Sequence, residues 1–339
     1  SGDQPGAHGD PRQRSGMSVI STNKLSPAWL SLAERRARRK RARRSASQLH
    51  RSNGTAYLMI APMVILLAIF VIYPLGYAVW LSGHRISFYK PAVWVGLDFY
   101  RYVLSDPRFW HSLRVGLTYS VMVVPVGLLL ALLLASFIKT LSTAVGSILK
   151  VTVYVPAVVA SVLTANIFVL IYQDAGIANT VVGYFGIRPV AWLNDPSLAL
   201  AAVAVPGVWL GFGISTLILL AAMLDIPTSY YESASLDGAN ALQTMWYITL
   251  PLLRNVFVFL GVTGFTLSLQ EFLLPLIMTQ GGPVDRTLTP NLFIINSFRD
   301  STPYATSFSL AAALLLFVVL GAISLVIFKA ISSVKAVDG

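Results

Sequence analysis

The chain has 339 residues, 55% of them hydrophobic and only 12% charged, yet its net charge is +11. A typical soluble domain carries roughly 25% charge, so a disordered chain and a soluble enzyme of ordinary surface are both excluded. With no cysteine there is no disulfide framework, no thiolate nucleophile and no Cys-based zinc site.

The charge is not spread evenly. Residues 1–55 hold 12 Lys/Arg and 3 Asp/Glu; the rest of the chain holds 13 and 11. The chain therefore reads as a basic tail, expected to be partly disordered, on a nearly neutral apolar body. Residues 35–44 are Arg-Arg-Ala-Arg-Arg-Lys-Arg-Ala-Arg-Arg. The positive-inside rule keeps such a cluster in the cytoplasm, and each Lys/Arg near an anionic lipid surface adds about 1 kcal/mol of attraction. Trp29, Leu30 and Leu32 would let an interfacial helix lie on the membrane. A nucleic-acid arm is disfavoured, because no aromatic residues interleave with the charges. The chain opens on Ser1, so residues ahead of Met17 read as additions or processing remnants. The first apolar run starts at residue 56 with no small-residue cleavage pattern after it, which argues against a signal peptide.

A bilayer-crossing helix needs about 20 mostly apolar residues. In chain order, the spans expected are 56–82, 115–138, 151–173, 197–224, 255–279 and 304–328. The fifth carries Glu271 in its middle. Prolines within the runs are tolerable because neighbouring helices re-satisfy the freed carbonyls. None of the runs alternates as barrel strands do. The expectation is an all-α polytopic membrane protein with six transmembrane helices and a short C-terminal tail over 331–339. Six spans place both termini on one side. Lys and Arg in the body do not set that orientation, with 5 inside against 8 outside, so it rests on the tail.

Several chemistries are missing. There is no Gly-Lys pair, hence no phosphate loop for ATP. His8, His50, His84 and His111 lack metal-ligand spacing. No nucleophile elbow occurs, and no potassium-type filter. Only Glu271 is ionisable within a span, too little for a proton relay.

The connection from Asp225 to Arg254 is long and patterned. Pro227 suits a first helical turn, and Ser229 with Glu232 three residues on matches a capping box. Gly238 is a natural stop, and a second helix should start near Ala241. Two short helices joined at Gly238 are therefore expected at the membrane surface. Small residues there would let another protein come close, although a solvated amphipathic loop has the same composition.

Glu232-Ser233-Ala234, Asp237-Gly238-Ala239, Ile248, Leu250 and Pro251 resemble the "EAA" coupling loop of bacterial ABC-importer permeases. Ser233 and Met245 depart from the common Ala and Phe. Val95–Tyr100 and Asp106–Trp110 are similar to the first external loop of the carbohydrate-uptake permeases. Gln280-Gly281-Gly282-Pro283 is similar to the segment after their fifth span, in the type represented by the larger maltose permease and the first glycerol-3-phosphate permease. Gln270–Leu276 looks more like the partner permease type. The resemblance covers about residues 56 to 330.

That resemblance implies a type I ABC importer permease fold with a cytoplasmic coupling-helix loop, in a bacterial inner membrane. It implies a sugar or related polyol as substrate. The implied partners are an ABC ATPase dimer, a second permease and an extracytoplasmic substrate-binding protein. ATP and Mg would be bound by the ATPase, and this chain would be neither an enzyme nor a cofactor carrier. Glu232 would accept a charge-assisted bond from the ATPase, and Gly238 would allow the turn. Asp237 would either pair across the interface or cap the second helix. Intramembrane carboxylates usually face a wet cavity or a partner, so Glu271, with Gln270 and Ser268, would line the translocation path or hold a structural hydrogen bond. Trp80, Trp110, Trp192 and Tyr304 read as interface belts. The alternatives are an ion-coupled secondary carrier, a permease for a non-sugar solute, and a non-transporting scaffold.

Overall fold

The computed structural model describes residue 54 and residues 57–87, 90–302 and 304–332. The tail expected over 1–55, apart from Gly54, and residues 333–339 of the C-terminal tail lie outside the described residues. The chain divides into two units, 1–72 and 73–339. Helix α1 runs Tyr57–Ser82, and its π-turn Ala68–Ile72 closes the first unit. Pro74 follows within two residues. It has no N–H to give to the carbonyl one turn back, and a wider turn absorbs such a missing bond.

In the second unit a short antiparallel hairpin comes first, β1 His84–Ser87 with β2 Lys90–Trp94. No strand was expected there. Strands of four and five residues are too short for alternation to register in the sequence. The Trp94 ring covers Gly83 so closely that a Cβ there would collide with it. Helix α2 Asp98–Ser105 leads into α3 Pro107–Lys139. At 33 residues α3 is about 50 Å long, so it overruns a hydrocarbon core of about 30 Å. Its start at Pro107 precedes the expected Val115, because Asp106 caps it by accepting from the Arg108 N–H at 2.8 Å.

The third expected span is not one helix. It is α4 Thr143–Val158 and α5 Ser161–Ile171, bent by 95°. Val159 and Ala160 are extended between them. Pro156 leaves the carbonyl of Thr152 without a helical donor just before the bend. Proline alone does not break the chain here: Pro125 and Pro206 sit inside continuous helices. After α6 Ile177–Gly183 come α7 Ala199–Leu224, α8 Thr228–Leu236, α9 Ala241–Thr244, a π-turn Met245–Thr249 and α10 Leu250–Leu269. The fifth span is interrupted as well. Helix α10 stops at Leu269 and α11 Leu273–Met278 restarts beyond Glu271. The restart places Pro275 in a first turn, where its missing N–H costs nothing. Helices α12 Pro290–Arg299 and α13 Ala305–Ser332 complete the unit. Among the described residues, five helices are long and apolar enough to cross a membrane, or six if the bent pair is one span.

Helices α3 and α7 form the centre of the unit. Their contact is built on small residues, as expected where lipid removes the hydrophobic drive and close backbone approach decides packing. Ala131 and Ala135 pack with Leu219 and Met223 in one buried cluster. Gly207 leaves room for the Tyr119 ring, and where α7 meets α4, Gly213 sits against the backbone of Val153. At the end of α3 away from Lys139, Arg108 Nε and Nη2 fork onto the Asp285 carboxylate at 3.0 and 3.2 Å. His111 Nε2 is 2.9 Å from the Asp285 carbonyl. A second tie lies before α7. Buried Asn179 donates to the carbonyls of Gln173 and Val190, and accepts from Val190 N–H and the Trp192 indole. Asp195 nearby is held below its ordinary pKa by the Ser197 hydroxyl and N–H.

Candidate functional site

The loop between α7 and α10 folds as two short helices with a sharp corner. Helix α8 starts at Thr228 with Pro227 as its N-cap, and no side chain caps it. The capping box expected at Ser229 and Glu232 is therefore absent. It occurs one helix later. Asn240 Oδ1 accepts from Gln243 N–H at 2.9 Å, and Gln243 Oε1 accepts from Asn240 N–H at 2.8 Å. Asn-x-x-Gln ahead of an apolar run carries that signal in the sequence. Because Asn240 caps α9, Asp237 does not; it is the C-cap of α8 instead.

The corner is a Schellman turn. Gly238 stands at φ +77°, its N–H donates to Ser235 O, and the Ala239 N–H donates to Ala234 O. Ala234 is buried, whereas Glu232, Ser233, Asp237 and Gly238 are exposed. Among the described residues, neither the Glu232 nor the Asp237 side chain has a hydrogen-bond or ion-pair partner. Leu236 and Tyr247 are 89% and 80% exposed. Leu250 and Pro251 open α10 at the far end of the loop. The loop is tied back through Tyr231, whose ring lies 3.9 Å from Lys139 Nζ. The Tyr231 hydroxyl is 3.4 Å from Thr249 Oγ1. Lys139 and Tyr231 are far apart in the chain, and no local pattern announces the pair.

Deeper in the unit is a cavity of about 510 Å³ between α3, α7 and α10. Its polar lining is Tyr119, Ser161, Ser215, Thr263, Ser268 and Glu271; Gly207, Gly211 and Gly264 open its walls. Of the three expected path residues, Ser268 and Glu271 line this space. Gln270 does not; its carbonyl accepts from Asn291 Nδ2 at 2.8 Å. Glu271 Oε1 also accepts the Leu274 N–H at 3.1 Å, which satisfies one free donor of the restarting α11. The structural and the cavity-lining readings of Glu271 are therefore compatible. The sequence reading missed Tyr119, because a Tyr inside an apolar run looks like core.

Trp110 donates to Leu104 O, Trp192 to Asn179, and Tyr304 receives Arg85 over its ring. Among the described residues, no group of three or more His, Asp and Glu could hold a metal ion.

The family model for the binding-protein-dependent transport system inner membrane component matches residues 124–334. The "Probable ABC transporter permease protein YesP" of Bacillus subtilis is 30% identical over 85% of this chain and 94% of its own length. The "Trehalose/maltose transport system permease protein MalF" of Thermococcus litoralis is 32% identical over 74% of this chain and 85% of its own. A crystal structure of a bacterial ABC transporter that imports alginate has a chain matching with a TM-score of 0.70 at 22% identity, over 86% of this chain and 99% of that one. The chain thus carries the type I importer permease fold and belongs to the binding-protein-dependent transport system inner membrane component family, the permeases of ABC importers.

Proposed function

We propose that this chain is one of two permease subunits that form the translocation path of a bacterial ABC importer for a sugar or related polyol. It works with a second permease, an ATPase dimer at the cytoplasmic face, and an extracytoplasmic binding protein that delivers the substrate. Both termini and the α8–α9 corner lie in the cytoplasm. ATP and Mg are held by the ATPase alone, and this chain performs no covalent chemistry.

The observation that carries the reading is the corner itself. Glu232 and Asp237 are exposed and unpaired on a short helix ending in a Schellman turn, beside exposed Leu236. A carboxylate there meets a cationic or N–H donor of the ATPase, and Ser233, Gly238 and Ala239 permit close approach. When ATP closes the ATPase dimer, the corner is carried along. The helices then pass between inward-open and outward-open arrangements, a two-state element biased from outside. Ser268, Glu271 and the other polar groups of the cavity would then meet substrate hydroxyls. The sugar assignment is supported by the names of relatives such as the trehalose/maltose permease.

A charge-assisted hydrogen bond contributes about 1.5–3 kcal/mol, so Glu232→Ala should weaken ATPase docking roughly tenfold to a hundredfold. The test is transport and ATP hydrolysis by the assembled complex in proteoliposomes. Lost uptake with normal membrane insertion supports the coupling role; wild-type uptake refutes it. Uptake by this chain alone, without ATP, would favour a secondary carrier.

A further inference from the structure

We infer that the cavity beside the α10–α11 interruption selects uncharged sugars and rejects anionic ones through Glu271. The inference rests on the permease reading above and specifies its substrate class.

The cavity is lined by one carboxylate and no cation. Glu271 faces it, and no Lys, Arg or His lines it among the described residues. Among the described residues no salt bridge joins Glu271 to another group; Arg108 and Asp285 form such a pair elsewhere. Arg254, the cation of the preceding helix α10, lies near its start, about 25 Å of helix away. Among the described residues, the hydrogen bond donated to the Glu271 carboxylate comes from the uncharged Leu274 N–H. A solute entering this space therefore meets, on this chain's side of the path, a negative charge without compensation.

Two of the five neutral hydroxyls in the lining are already committed as donors. The Ser215 hydroxyl donates to Gly211 O and the Ser268 hydroxyl to Phe265 O. Their protons are engaged, and their lone pairs remain as acceptors. Sugar hydroxyls donate to such a lining. A carboxylate, phosphate or sulfonate has only acceptors, so it gains nothing from Ser215 and Ser268. The charge adds to this: two like charges about 6 Å apart at an effective dielectric constant near 20 disfavour binding roughly a hundredfold. A volume of about 510 Å³ falls in the range of small-molecule sites.

The test uses the complete permease–ATPase complex in lipid nanodiscs, without a binding protein whose own selectivity would intervene. Saturation-transfer NMR reads weak binding of matched probes: maltose, lactose and trehalose against the same disaccharides oxidised to a terminal uronate. The bound probe is assigned to this cavity if Gly211→Phe abolishes its signal; a Cβ at that position meets no atom within 4 Å. In the wild type the uncharged sugar should bind at least about tenfold more tightly than its uronate, and Glu271→Gln should bring the pair to near equality. Glu271→Asp should keep the gap. Thr263→Lys should close it too, without disturbing the α11 restart. The inference is overturned if uronates bind as well as neutral sugars in the wild type. It is also overturned if the gap survives both Glu271→Gln and Thr263→Lys, or if Gly211→Phe leaves binding intact. A complex that couples ATP hydrolysis to a solute but binds no sugar overturns the sugar reading and this inference with it. A chain that assembles with no ATPase overturns the permease reading instead.

Discussion

Lys139 Nζ stands 3.9 Å from the centre of the Tyr231 ring and also donates to the Met223 carbonyl at 3.3 Å. One ammonium thus joins the end of α3, the end of α7 and the first helix of the coupling loop. Its position at a helix C-terminus favours the positive charge. A cation–π contact contributes about 0.5–2 kcal/mol. Tyr231→Leu should therefore speed amide exchange across 228–236 by roughly twofold to thirtyfold, as read by hydrogen–deuterium exchange. Exchange within α7 should not change.

Gly238 allows a graded test of the corner. Its φ of +77° suits glycine, and a Cβ there meets nothing within 4 Å. Backbone preference alone should then decide the outcome. Gly238→Asn should be nearly neutral, and Gly238→Ala should cost about 1 kcal/mol. Gly238→Pro should cost more, because the N–H donated to Ser235 O is lost and φ is incompatible. Thermal unfolding in detergent ranks the three. Equal melting of the Ala and Pro variants would refute the argument.

The α3–α7 contact makes a prediction about rescue. A Cβ on Gly207 would collide with the Tyr119 hydroxyl. Gly207→Ala should lower stability by about 1–3 kcal/mol through overpacking. Tyr119→Phe in the same chain should return most of that loss, since the ring carbon beneath lies 3.2 Å from the new Cβ. Gly213→Ala should have no such remedy, because it meets the backbone carbonyl of Val153. A double-mutant cycle by thermal unfolding measures the coupling.

Two polar ties distant from the coupling loop should differ in energetic value. The Arg108–Asp285 pair is bidentate, but its side chains are 59% and 39% exposed. Arg108→Ala should cost no more than about 1 kcal/mol, and less in high salt. Asn179 is buried and fully engaged. Asn179→Ala strands the Trp192 indole and the Val190 N–H, each costing about 1–3 kcal/mol if no water replaces the amide. Thermal melts at low and high salt separate the two. A larger loss for the Arg108 variant would contradict the burial argument.

Much of this was legible in the sequence, for reasons tied to particular residues. The apolar runs marked where helices lie, since nothing but length and hydropathy is needed for that. Gly238 and the restart near Ala241 were legible because turn chemistry is local. The breaks at 159–160 and 270–272 were not. Six prolines lie inside apolar runs, at 62, 74, 125, 156, 206 and 275, and only those at 156 and 275 accompany an interruption. Packing across helices decides which, as in the seat of Gly213 on the Val153 backbone. The cap was assigned to Ser229 because two helix starts carry similar signals and only one is used. Lys139 with Tyr231, and Glu271 with its cavity, join residues distant in the chain, and a single sequence shows no such pair.

The corner at Asp237–Gly238–Ala239 is closed on both sides before any partner arrives. One helix ends in a Schellman turn and the next begins with a reciprocal Asn240–Gln243 cap. A floppy peptide would surrender conformational freedom when it docked, about 0.5–1.5 kcal/mol for each immobilised side chain with many rotamers. Here the backbone has already given that freedom up during folding. Contact energy at the interface is then available for holding the ATPase rather than for shaping the peptide. A stiff corner also passes on a displacement that a slack one would absorb.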